Sequence, residues 1–150
     1  MDEQFRLRMI AEARSWIGTP YYHAASLKGV GCDCLGLIRG IWRAVIGDEP
    51  EIPEPYRAGW IDTPGEERLR DAARRHLIEI LPSDFCSGDV LMFRWRDHLP
   101  AKHVGLATSD KTMVHAHEGA SVAEVDIGHW RKRLVYAFRL PRPINLDDAS

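Results

Sequence analysis

The sequence predicts an α+β protein, with helices first and an antiparallel sheet second. Up to Leu81 the apolar positions recur at helical spacing between breaks rich in Gly and Pro. After Pro82 the texture changes to short alternating runs joined by tight turns. A length of 150 residues is enough for one domain with a real core and too short for two. That single domain is expected over residues 1–143, with 144–150 as a loose tail.

The elements follow in order. Residues 3–17 place Phe5, Met9, Ile10, Ala13, Trp16 and Ile17 at helical spacing, and Gly18-Thr19-Pro20 stops the helix. The stretch "YYHAASLKGVG", residues 21–31, reads as a loop. From Asp33 or Cys34 to Ile46, the positions Leu37, Ile38, Ile41, Trp42 and Val45 fit a buried helix closed by Gly47. Residues 48–62, rich in Pro and acid, form an ordered but irregular excursion that carries Tyr56 and Trp60. Thr63-Pro64-Gly65-Glu66 is a capping box with Pro at the first helical position, opening a helix whose Leu69, Ala73, Leu77 and Ile80 form one stripe. Residues 89–95, 103–108, 112–117, 121–127 and 134–140 read as strands. There is no internal repeat and no low-complexity tract.

Composition narrows the function. A net charge of −2 gives no electrostatic reason to expect nucleic acid or an anionic membrane as partner. No apolar run approaches the length of a spanning helix. The acidic start Met1-Asp2-Glu3-Gln4 leads into an amphipathic segment and is no signal peptide, so synthesis in the cytoplasm and export by another route are expected. Cys32, Cys34 and Cys86 are too few, and odd in number, for a disulfide framework. Cys32 and Cys34 are also too close for an unstrained mutual bridge.

The chemistry centres on Cys34. It follows Asp33, a good N-cap residue, at the first turn of the second helix, where unpaired N–H groups and the helix dipole lower a thiol pKa. Gly36 lets another backbone approach closely. His103 opens one expected strand, and His115 and His117 lie on the next, joined by a turn around Ser109-Asp110-Lys111. A three-residue turn sets Gly105 opposite His115 and His103 opposite His117, so either later histidine can reach His103. A thiol, a histidine to take its proton and a third polar group to orient that histidine follow the logic of nucleophilic acyl transfer. Taken singly, Cys34 reads as a buried structural thiol and each histidine as a partly exposed strand residue; the joint pattern favours chemistry. The sharpest rival is zinc: His-x-His, a third histidine and Cys34 form a possible catalytic metal set.

The stretches "GTPYYHAASLKGVGCDCLGLI", "SGDVLMF", "HVGLA" and "MVHA" resemble, in order and approximate spacing, the NlpC-type cysteine peptidases, papain-like enzymes that cut peptidoglycan stem peptides. The Trp-Ile-Gly-Thr-Pro-Tyr lead-in and the "HWRKRLVYAFRLP" ending are most similar to the subgroup of phages, prophages and gene transfer agents. The resemblance spans roughly residues 7–141 and implies a papain-like α+β fold. It assigns Cys34 of Asp-Cys-x-Gly as nucleophile, His103 as base and His115 rather than His117 as the orienting residue. Tyr22 aligns with a tyrosine that is often an oxyanion donor, Asp33 is a helix cap, and Cys32 is a bystander. No cofactor and no metal are implied.

The implied substrate is the stem peptide, cut between D-glutamate and the diamino acid. Carriage at the tail tip of a phage-like particle follows, held by a tail or baseplate hub protein through the Tyr56 to Trp60 excursion or an exposed Trp130-Arg131 turn. A non-catalytic tail adaptor with the same fold is the second rival. Leu35 stands where the family usually has Ser, and Tyr22-His23-Ala24 where it usually has Tyr-Gly-Gly; both departures reshape the substrate pocket. Arg39, Lys28 and Lys102 are candidates to meet peptide carboxylates, beside a plain reading as solvated basic side chains.

Overall fold

A computed structural model describes residues 2–51 and 65–143. Most of the Pro-rich excursion, with Tyr56 and Trp60, lies outside the described residues, as do Thr63-Pro64 of the capping box and the tail 144–150. Helix α1 (Glu3–Ser15) is capped by Asp2, whose carboxylate accepts from the Gln4 N–H at 2.9 Å. It buries Phe5, Met9, Ile10 and Ala13. Where the sequence reads as a loop, Ser26–Leu27 (β1) and Gly31–Cys32 (β2) pair as a short antiparallel hairpin, turned by Gly29 at φ +78°. Helix α2 (Cys34–Val45) buries Leu37, Ile38, Ile41 and Val45. Its two glycines are points of close approach. A Cβ on Gly40 would stand 2.0 Å from the Trp16 ring, and one on Gly36 would stand 1.9 Å from the Ala25 carbonyl oxygen.

The third helix is shorter than its apolar stripe predicts. Helix α3 runs Arg68–His76, Leu77 turns extended, and Ile78–Ile80 forms strand β3 against the C-terminal strand. Ile78 and Ile80 are β-branched and fit a pleated surface, while Glu79 is drawn back to the helix by Arg70 and Arg74. Glu67, at the N-cap position, makes no side-chain cap bond because its carboxylate accepts from the Ala101 N–H and from Arg94.

Strands β4 (Val90–Arg94), β5 (Ala101–Ala107), β6 (Thr112–His115), β7 (Ala123–Asp126) and β8 (Leu134–Arg139) complete a six-stranded sheet in the order β3-β8-β4-β5-β6-β7. All its described pairings are antiparallel. Gly105 stands opposite His115, as a three-residue turn requires, but β6 ends there and His117 lies beyond the ladder. Strand alternation divides the apolar side chains between two clusters. Val90, Met92, Val104, Leu106, Val114 and Phe138 pack with the helices, whereas Leu91, Phe93, Ala107, Met113 and Ala137 pack with Ile127 and Trp130. Asp89 is fully buried at the entry to β4, holding Arg139 through both carboxylate oxygens at 3.1 Å and accepting from the Cys86 N–H. This pair fixes β8 beside β4.

Because the atom facing Gly36 is backbone, Gly36→Ala is expected to destabilise the protein by about 2–3 kcal/mol, measured by denaturant unfolding. An unchanged midpoint would show that the hairpin can move away from α2.

Candidate active site

Asp33 anchors the helix that carries Cys34. Its carboxylate accepts from the Gly36 N–H at 2.7 Å and the Ala24 N–H at 2.8 Å, so one buried group caps α2 and ties down the preceding loop. Cys34 is the next residue. Its thiol reaches the Lys102 carbonyl at 3.7 Å, and the backbone N–H groups of Val104, Leu35 and Cys34 itself point at the sulfur. The sulfur thus lies against the stretch of β5 that carries His103. Cys34 keeps some surface open, whereas Cys32 is fully buried.

The thiol does not behave as its helix-start position predicts. Burial, then the Asp33 carboxylate, push Cys34 up to about 12 against the three N–H groups that favour the thiolate. Burial and Asp33 also raise Cys32, to about 11. Burial and the capping carboxylate next door together outweigh the helix terminus.

His103 Nε2 and His115 Nδ1 lie 2.8 Å apart, one donating and the other accepting according to tautomer. Both are buried. His117 makes no such bond; its ring stacks on His115, with centroids 5.8 Å apart and planes within 7°, and stands edge-on to His103. Trp130 lies nearly parallel to the His103 ring at 5.2 Å and edge-on to His115 at 5.3 Å, and Trp95 flanks His103 at 5.6 Å. These indoles enclose the histidine pair and keep water from competing for its hydrogen bond. Trp130 is therefore no exposed anchor. The 3-10 turn Gly128–Arg133 folds it inward onto the histidines, leaving Arg131 outside.

Burial, followed by the charges of His115 and His117, lowers His103 well below the usual imidazole range. Burial and His117 lower His115 to about 4. The resting pair is a thiol and a neutral imidazole. Among the described residues no three His, Cys, Asp or Glu side chains converge as a metal site. His103 Nε2 and His115 Nδ1 are taken up by their mutual hydrogen bond.

The oxyanion role was expected of Tyr22. Tyr22 is 66% exposed and packs over Gly31. Tyr21 is half-buried against the helix-side core beside Cys34. Its hydroxyl is raised by burial first and then by the charges of Cys34 and Asp33. The cause is local. Tyr21 bridges Cys32, with the Tyr22 N–H donating to the Cys32 carbonyl and the Cys32 N–H to Pro20, so successive side chains alternate sides. An extended segment after Pro20 was the signal available in the sequence. Ala24, next in the loop, sits at φ +60°, a left-handed conformation that favours glycine. Of the basic candidates, Arg39 is held by Glu49 at 2.6 Å and Lys28 by Glu12 at 2.6 Å.

A papain-like helix-on-sheet fold with a cysteine at a helix start and a buried histidine pair defines a class of thiol hydrolase-like domains. Residues 18–139 match the model of the NlpC/P60 family, and the chain belongs to that family. Its fold is similar to the NlpC/p60 domain of the peptidoglycan hydrolase SagA, at 24% identity and TM-score 0.65 over 90% of this chain and 98% of that one. A Staphylococcus aureus protein described as similar to a lipoprotein of the NLP/P60 family matches at 19% identity and TM-score 0.67, covering 97% of this chain and 43% of that one. The Mycobacterium tuberculosis peptidoglycan hydrolase RipB matches at 20% identity and TM-score 0.58, covering 91% and 64%. No curated protein sequence matches the chain.

The two buried histidines make stability depend on pH. Their folded-state pKa values lie below the unfolded value of about 6.5, so between the two the unfolded chain binds more protons. Their contribution is fully present above about pH 6.5 and is lost as pH falls toward the His115 value of about 4. Denaturation midpoints are expected to fall across that window, and His115→Gln to flatten the fall. An equal slope in both proteins would place the titrating groups elsewhere.

Proposed function

We propose that this protein is a cysteine peptidase that hydrolyses peptidoglycan stem peptides at the amide between D-glutamate and the diamino acid. One observation carries the chemistry: the Cys34 sulfur lies against the β5 backbone around His103, whose ring is held by His115 at 2.8 Å. The family and the hydrolases SagA and RipB among its structural relatives support the substrate class.

In this reading the Cys34 sulfur attacks the amide carbonyl while its proton passes to His103, which returns it to the leaving amine. His115 holds the imidazole in register through the transfer. Neutral partners suit this sequence, since the base is free to accept a proton as the bond forms. The Cys34 N–H and the Tyr21 hydroxyl, in place of Tyr22, stabilise the oxyanion. Water then cleaves the acyl-enzyme and regenerates the thiol.

Digestion of purified sacculi, with fragments identified by mass, tests the reading. Cys34→Ala is expected to abolish release, while Cys32→Ser keeps most of it; equal loss from both would point to a shared metal or redox role. His103→Ala is expected to lower turnover by about 10²–10⁴-fold, with smaller losses for His115→Ala and smaller still for His117→Ala. Tyr21→Phe should lower kcat by about 10²-fold and Tyr22→Phe leave it nearly unchanged; the reverse order would return the oxyanion role to Tyr22.

We also propose carriage by a phage tail or gene transfer agent particle, supported by the sequence pattern alone. With Trp130 buried, the docking surface falls to other residues. Co-sedimentation with tailed particles is expected; a protein found only free in solution sinks the placement.

A further inference from the structure

The site reaches the surface through Trp95. Its ring lies 5.6 Å from His103 and 5.7 Å from His117, and the Arg133 guanidinium sits over it, 5.4 Å from the ring centroid. Arg133 is exposed and holds no carboxylate among the described residues. Arg39, Arg70, Arg94 and Arg139 each hold a Glu or Asp, and Arg6 bonds the Ser87 carbonyl. Lys132 and Arg131 flank Arg133 on the same turn, and Arg131 spends its side chain on the Asp110 carbonyl and the Phe85 ring. A chain of net charge −2 therefore presents an uncompensated cationic rim one aromatic ring from the histidines.

We propose that Arg133 is a specificity residue that reads a free carboxylate on the peptide bound at the Cys34–His103 site. This rests on the stem-peptide reading, whose substrate carries carboxylates near the scissile amide. The Trp95 ring beneath the guanidinium accepts no N–H in its plane, and a guanidinium holding no carboxylate among the described residues can offer a bidentate fork to one. Lysine cannot reproduce that fork, because an ammonium is a point charge on a flexible stem. Two of the three basic residues foreseen for this task are engaged elsewhere, Arg39 with Glu49 and Lys28 with Glu12.

The test compares three synthetic stem tripeptides: all carboxyls free, the glutamate α-carboxyl amidated, and the diamino-acid carboxyl amidated. Wild type is expected to lose about three- to tenfold in kcat/KM, mainly through KM, on one of the two amides. Arg133→Gln should show the same loss on the free acid and no further loss on that amide; Arg133→Lys should recover part of it. Lys132→Gln should keep the wild-type preference. If Arg133→Gln discriminates acid from amides as wild type does, the inference falls and the peptidase reading stands. If wild type cleaves none of the peptides, the peptidase reading falls. The carboxylate role is then decided by calorimetric titration of Cys34→Ala with the same peptides. Tighter binding of the acid that Arg133→Gln removes supports it, and equal or absent binding overturns it.

Discussion

The buried carboxylate of Asp33 organises the site. It meets two backbone N–H groups from different segments, those of Gly36 at the start of α2 and Ala24 in the loop before the hairpin. A carboxylate removed from water needs such donors, and the chain can supply them only if loop and helix approach closely. Gly36 makes that approach possible by leaving room for the Ala25 carbonyl. Ala24 accepts a left-handed backbone so that its N–H can turn toward Asp33, at a cost of about 1–2 kcal/mol. Cys34 and Tyr21 come to one place as a result: one follows the cap directly, and the other is paired to the strand that ends before it.

Placing an acid beside a thiol has an electrostatic consequence. Burial, and then the same charge that fixes the helix, disfavour the thiolate one residue away, so the resting site holds its proton on sulfur. The sheet supplies the matching half. Phe93, Trp95 and Trp130 around His103 make a low-dielectric surrounding in which an imidazolium is costly and the bond to His115 is strong. Helix and sheet each suppress a charge, the helix on the Cys34 sulfur and the sheet on the His103 ring.

Most of the fold could be read from periodicity because each element buries one face. Helices α1 and α2 and strands β4 to β8 fall close to the runs of Met9, Leu37, Leu91, Leu106, Val114 and Phe138. Cys34, His103 and His115 stood out because their residue types are rare together at a helix start and on paired strands. What escaped the sequence depended on contacts between distant segments. Ile80 continues a helical stripe on paper, but the edge of β8 offered it a strand partner, and Glu79 locked the turn by pairing back to Arg70. Tyr21 and Tyr22 are chemically alike neighbours, and only the bridge to Cys32 decides which faces inward. Trp130 sits among Arg and Lys and reads as surface, whereas its ring is taken up by the histidines.

The position of that indole has a spectroscopic meaning. Two of the five tryptophans, Trp95 and Trp130, lie within 6 Å of His103, the latter stacked nearly parallel to it. A protonated imidazole quenches an adjacent excited indole far more than a neutral one does. The protein thus contains its own optical gauge of the charge on His103, in the ultraviolet and without a label: a proton gained by that imidazole dims the emission of the indoles beside it.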